Sequence, residues 1–215
     1  MRGSLAGREG CVSARARPPS SPGRFASLRA SAHLPPSPLQ ALAYRATRDG
    51  WGAADFHAAS DRRGPVVVVG ETEAGARFGG FHSAGFASTD DYFSTMASFL
   101  FAWPSKRGGE PVKCEKIGGP DAAIYDFRRG GPQWGADALA VGPPAAPVMG
   151  GMAGPDTNAG CGDLRGAKCR LGLDYAPRPD GLTLFGGDAA ADAGRDKATL
   201  VEVEAYYAPE IAALY

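Results

Sequence analysis

Four consecutive valines, Val66-Val67-Val68-Val69, constrain this chain more than any other stretch. Side chains branched at Cβ lose rotamer freedom in a helix and pack well on a pleated surface. A run this short, bounded by turn residues, is a buried strand. Gly64-Pro65 stops what precedes it, Glu71 to Gly75 supplies a turn, and Arg77 to His82 returns as the partner strand of a hairpin. Gly79-Gly80 inside the returning strand marks a bulge or a close backbone approach rather than a phosphate cradle.

The region from residue 41 to 208 continues in this manner. Gly52 to Ser60 follows Asp49, an N-cap residue type, and forms one short helix with Phe56 toward the core. A polar stretch, Ser83 to Thr95, precedes the apolar run Ser98 to Trp103, which Pro104 ends; Ser105 to Gly109 is a loop. Val112 to Ile117 alternates with period two, placing Val112, Cys114 and Lys116 on one side. Ala122 to Phe127, Asp137 to Val141, Cys169 to Tyr175 and Thr199 to Tyr206 complete the strands, and residues 142–166 form a long loop. Strands joined by turns, without helices regularly between them, build an antiparallel two-sheet β-sandwich, mainly β with short helices.

Composition decides whether such a chain folds. Gly and Pro make up 49 of 215 residues, and Leu, Ile, Val and Phe only 37, a balance that signals disorder when net charge is high. Here 23 basic residues meet 23 acidic ones, so self-repulsion does not hold the chain open. Nineteen of the 20 aromatic residues lie beyond residue 40, and such rings supply a core that few aliphatics would leave thin. A coiled coil, a helical bundle and a membrane-spanning protein are excluded.

Residues 1–40 are different in kind. They hold six arginines, no lysine and one acid, Glu9, with proline-rich runs at 18–22 and 35–38. We expect a disordered solvated tail there and a cytoplasmic protein, or an organelle transit peptide and a mitochondrial or plastid one. No hydrophobic run in the tail reaches the length of a secretory signal. Arginines separated by prolines, without interleaved aromatics, make a poor nucleic-acid surface.

The search for chemistry is mostly negative. Cys11, Cys114, Cys161 and Cys169 form no C-x-x-C pair, and His33, His57 and His82 are scattered singly, so neither a zinc site nor another cofactor site is expected. Cys161 and Cys169 are read as free thiols rather than a disulfide. Gly80-Phe81-His82-Ser83-Ala84-Gly85 misses a serine-hydrolase elbow by one residue, and on a strand His82 and Ser83 point to opposite faces. A reactive thiol needs cations beside it; Cys114 has Lys116 on its face, and Cys169 lies between Lys168 and Arg170, so these two are the candidates for a thiol-based redox enzyme. Glu202 and Glu204 share a face of the last strand and read as a solvated face, or else as paired carboxylates. Asp188 and Asp192 read as solvated loop acids.

Six segments in order resemble the TLDc domain family. Tyr44-Arg45-Ala46-Thr47-Arg48-Asp49-Gly50-Trp51 through Asp55-Phe56-His57 resembles the family's opening, and Phe78-Gly79-Gly80-Phe81-His82-Ser83 its "FGGYxS" strand. Ser98-Phe99-Leu100-Phe101, Gly131-Pro132-Gln133-Trp134-Gly135, Leu171-Gly172-Leu173-Asp174-Tyr175 and Val201-Glu202-Val203-Glu204-Ala205-Tyr206 follow, over residues 41–208, with 209–215 as a C-terminal extension. The segment after Gly135 departs from the pattern: Ala138 precedes Leu139 and Asp137 stands one place early. The resemblance implies a β-sandwich flanked by short helices, protection against oxidative damage, and binding to the peripheral sector of the vacuolar proton-pumping ATPase, with no agreed catalytic centre. It gives Arg45, Asp49, Gly50, Phe56, Gly79, Gly80, Ser83, Phe99, Phe101, Gly131, Pro132, Gly135, Gly172, Tyr175 and Glu204 a structural or partner-contacting role. The expected protein is a monomeric, non-catalytic binding module.

Overall fold

The computed structural model describes residues 41–104, 109–144 and 160–207. The tail, the C-terminal extension and the centre of the 142–166 loop lie outside the described residues. Among the described residues eleven strands are hydrogen-bonded together, ten along one path that folds back on itself and β1 branching from it at β11. The strands are β1 (Ala41–Arg45), β2 (Val66–Thr72), β3 (Arg77–His82), β4 (Asp91–Phe93), β5 (Phe99–Ala102), β6 (Val112–Glu115), β7 (Ile124–Asp126), β8 (Gln133–Trp134), β9 (Leu139–Val141), β10 (Gly166–Arg170) and β11 (Arg195–Tyr207). Two short helices, α1 (Ala46–Asp49) and α2 (Ala53–Ser60), connect β1 to β2.

β11 joins the two layers. Its first five residues pair with β10, with Gly166 opposite Thr199 and Arg170 opposite Arg195. From Leu200 onward it pairs with β2 on one side and, from Glu204 to Tyr207, with β1 on the other. Val201 is passed over between the Leu200–Thr72 and Glu202–Glu71 pairs, and a bulge of this kind bends a strand enough to leave one sheet and enter another. One layer therefore runs β1-β11-β2-β3-β5-β6 and the other β11-β10-β9-β8-β7-β4, all antiparallel.

The core is aromatic, as the composition requires. Trp134, Tyr44, Tyr175, Phe56, Phe78 and Phe86 are its largest fully buried side chains. Gly80 and Trp134 set the spacing of the layers: a Cβ on Gly80 would lie 2.5 Å from the indole, whose Nε1 donates to the Phe81 carbonyl at 3.0 Å. Gly79 faces the other way, against the Val68 carbonyl and the Phe101 ring. The register of β3 with both neighbours is unbroken through these glycines, so they mark a close approach and no bulge.

Several boundaries differ from the sequence reading. α1 is an additional helix, one turn long and below any detectable period. Asp49 caps α1 instead of opening α2, its Oδ2 accepting the Arg45 N–H at 2.9 Å; α2 is capped by Gly52, whose N–H donates to Asp55 at 3.1 Å. β4 lies inside the polar stretch 83–95, a three-residue edge strand too short to alternate. β8 rests on the Gln133-Trp134 pair. The strand expected at 169–175 sits earlier, over Gly166–Arg170, where buried Ala167 and Cys169 alternate with exposed Gly166 and Lys168; Gly172, at φ +94°, turns the chain away from extended structure.

Candidate functional site

Charged residues of the opening motif converge on β11. Glu202 and Glu204 share the face opposite the core, as alternation dictates, but they are not solvated: each is 0% exposed. Glu202 accepts the Thr47 N–H at 3.2 Å and the Thr47 hydroxyl at 2.6 Å. Glu204 accepts Arg45 Nε at 2.8 Å and the Tyr206 hydroxyl at 2.5 Å. Asp49 takes Arg48 Nε and Nη2 at 2.7 and 2.6 Å, and this hydrogen bonding raises the Arg48 pKa against the opposing effect of burial. Tyr44 donates to the Gly50 carbonyl at 2.5 Å, and Gly50 sits at φ +114° with no room for a side chain beside Asp55. The motif is a polar latch that fastens α1 to the last strand.

A second polar node joins α2 to both neighbouring loops. His57 is buried, with Nδ1 2.8 Å from Asp61 Oδ1 and Nε2 2.9 Å from the Gly130 carbonyl. Both partners only accept, so the two bonds together need the imidazolium. Burial opposes that charge, yet the Asp61 hydrogen bond and charge outweigh it and raise the His57 pKa above 6.5. The other Asp61 oxygen accepts the Ser88 hydroxyl at 2.5 Å. Asp126 accepts the Ala87, Ser88 and Thr89 N–H groups at 3.0, 3.1 and 3.2 Å. The serine hangs on the carboxylate and not on the imidazole, the wrong order for a hydrolytic triad. Sequence reading placed His57 in the motif and missed the node, because Asp126 and Ser88 reach it only through the folded loops.

This node has a pH signature. A histidine with a raised native pKa contributes stability that is full below its unfolded value and lost as pH rises through the native one. His57 therefore destabilises the fold as pH climbs above 6.5. His82 does the reverse: burial against Phe86 and Phe93 pushes it down to about 4, so its contribution disappears as pH falls from 6.5 toward that value. The urea midpoint is expected to peak between the two limbs. His57→Gln should flatten the alkaline limb and His82→Leu the acid one; a midpoint indifferent to pH on both sides would contradict the assignment.

The remaining motif residues occupy structural positions. Phe56 packs edge-on against Tyr44 and Phe86. Phe99 and Phe101 lie on the outward face of their layer, in a ring series with Phe81 and Trp103. Ser83 Oγ is 3.4 Å from Thr95 Oγ1. Gly131 donates to the Gly142 carbonyl at 2.9 Å, and the Pro132 carbonyl accepts from Val141 at 3.1 Å. Gly135, at φ +61°, leaves no space for a Cβ beside Asp174. The Tyr175 hydroxyl donates to the Ala123 carbonyl at 2.8 Å, and the Gly172 N–H to the Tyr175 carbonyl at 2.7 Å.

The candidate thiols Cys114 and Cys169 are free and buried, whereas Cys161, read from the sequence as a free thiol, is disulfide-bonded. Burial pushes Cys114 up to about 11, the nearby Arg178 only partly offsetting it, and pushes Cys169 up to about 12. Lys116 does not activate Cys114: its ammonium donates to the Ile117 carbonyl at 2.8 Å and lies over the Tyr175 ring. Such thiols hold their protons at neutral pH and are poor nucleophiles. Alkylation of Cys114 and Cys169 is expected only after unfolding, and Cys114→Ser/Cys169→Ser should leave any peroxide consumption unchanged; rapid native labelling of either would reverse this conclusion. A cavity of about 310 Å³ opens among Ala76, Trp103, Arg178 and Leu184, but the Arg178 guanidinium is held by Asp180 and the Thr183 carbonyl. Asp188 and Asp192 are exposed, as read. Among the described residues no three His, Cys, Asp or Glu side chains gather as a metal site, and no helix is long and apolar enough to cross a membrane.

These features define an antiparallel β-sandwich domain whose first strand and first helix are fastened to its last strand, the strand by the Arg45–Glu204 ion pair and the helix by the hydrogen bonds of Thr47 to buried Glu202. The profile of the TLDc domain family matches residues 29–143, and the chain belongs to that family, which is associated with oxidation resistance. No curated protein matches the sequence. The matched region begins at Arg29, inside the segment read as tail, and ends at Pro143, before Gly172, Tyr175 and Glu204.

Proposed function

We propose that this chain is a non-catalytic binding module that contributes to oxidative-stress resistance by docking on the peripheral sector of the vacuolar proton-pumping ATPase. Membership of the TLDc family carries the reading. It is supported by the way the motif's reactive groups are engaged within the fold: Arg45 with Glu204, Thr47 with Glu202, and His57 with Asp61. Acids and bases held in this way position strands and leave the surface to make contacts. The module works as a cytoplasmic monomer, with residues 1–40 as a tail and 41–208 as the binding domain.

Co-sedimentation of the full chain with the isolated peripheral sector tests the reading. Saturable binding at micromolar concentration is expected, and absence of binding there would overturn it. Unchanged binding by Cys114→Ser/Cys169→Ser is expected as well, since neither thiol takes part.

A further inference from the structure

β10 and the first part of β11 pair in a register that sets like charges face to face. Lys168 lies directly opposite Lys197, and Arg170 directly opposite Arg195. Alternation turns Ala167 and Cys169 into the core, so the four cations share the outward face of the ladder. Lys168, Arg195 and Lys197 are exposed, and Arg170 is partly buried. Among the described residues none of those three exposed cations forms an ion pair, while Arg170 meets Asp137 at 3.6 Å. Asp196, between Arg195 and Lys197, is turned the other way, its Oδ2 accepting from the Thr183 hydroxyl at 2.5 Å. Like charges directly opposite one another weaken a ladder, and here two such pairs stand side by side.

We infer that this face docks an extended acidic segment of a partner protein. Two observations select that occupant. The first is spacing. Opposite Cβ atoms in such a pair are about 5 Å apart, and positions two apart on one strand about 7 Å. An extended peptide repeats its same-side residues at that second interval. Acids at its alternate positions therefore meet Lys168 and Arg170, or Lys197 and Arg195, in step.

The second is extent. Residues 1–40 hold six arginines and one acid in a chain of zero net charge, so residues 41–215 are net negative. The quartet is a local positive field on an acidic domain, and charge effects die away over a Debye length of about 8 Å. A short acidic segment stays within that field. A membrane surface or a long polyanion runs past it and meets the acidic remainder. Residues 166–170 and 195–199 also hold no aromatic ring on which a nucleic-acid base could stack.

Acids seated on this face cancel both like-charge oppositions. The inference concerns the face alone and holds whichever protein supplies the segment, so it stands apart from the proposed pump partner.

Fluorescence anisotropy of a labelled peptide alternating glutamate and serine, titrated with the full chain, tests it. A Kd of about 100 μM is expected at an ionic strength of about 0.15 M, with no binding when glutamine replaces the glutamates. Lys168→Glu should weaken binding about tenfold and, by turning a like pair into an opposite one, raise the urea midpoint. The two readouts move in opposite directions, so the lost binding has no folding explanation. Lys168→Glu/Lys197→Glu should abolish binding and return the midpoint toward wild type. Failure of the acidic peptide to bind would overturn the inference, as would an affinity indifferent to Lys168→Glu, which places the contact elsewhere. Tighter binding to phosphatidylserine vesicles or to a single-stranded oligonucleotide would overturn it too, giving the face to a membrane or to nucleic acid.

Discussion

Trp134→Ala is expected to lower the unfolding free energy by about 4 kcal/mol, from lost transfer free energy and the cavity left behind. The indole is fully buried and its Nε1 donates to the Phe81 carbonyl, so the variant also loses that hydrogen bond. Gly80→Ala is expected to cost about 2 kcal/mol by overpacking, because its Cβ would lie 2.5 Å from the same ring. Combined, the two should cost clearly less than their sum, since the alanine methyl enters space the indole vacates. Urea denaturation of the four proteins measures the coupling. Strict additivity would mean that the layers are not spaced by this contact.

Arg45→Met is expected to cost about 3 kcal/mol, the scale for breaking a buried ion pair from one side. Glu204 is 0% exposed, so its carboxylate cannot recover the lost guanidinium contact from water without opening the strand. Arg45→Met/Glu204→Gln removes the charge from both sides and should regain much of that loss, because a neutral pair carries no uncompensated buried charge. A cost below about 1 kcal/mol for Arg45→Met would equal that of a surface pair and would refute the latch. The prediction also separates structure from partner contact: if Arg45 met a partner instead, binding would fall while the urea midpoint held.

The strands most legible in the sequence are those whose own side chains decide them. Val66–Val69 left little alternative to a strand, and Phe99–Ala102 between polar stretches was similarly constrained. β4 and β8 were not legible, because two or three residues cannot show a period and their pairing depends on partners far along the chain. β10 was displaced because its pattern is carried by small residues, Ala167 and Cys169, while the larger Leu171 and Tyr175 draw attention to a turn. The alternation of Glu202 and Glu204 was visible, but their burial was not: the solvent-side reading was reasonable for two glutamates on a strand until α1 folded over them.

What the sequence determined by itself was local and compositional. Repeated β-branched and aromatic residues, turn chemistry, and the absence of helical periodicity imply antiparallel strands with an aromatic core, and six ordered motifs point to the TLDc family. What only the tertiary structure decided was which polar groups lose water. Glu202, Glu204, His57 and Asp126 are ordinary residues in the sequence and become the fastenings of the fold because helices and loops from distant positions close over them. Burial and pairing belong to the surroundings of a side chain, and those surroundings exist only once the chain has folded.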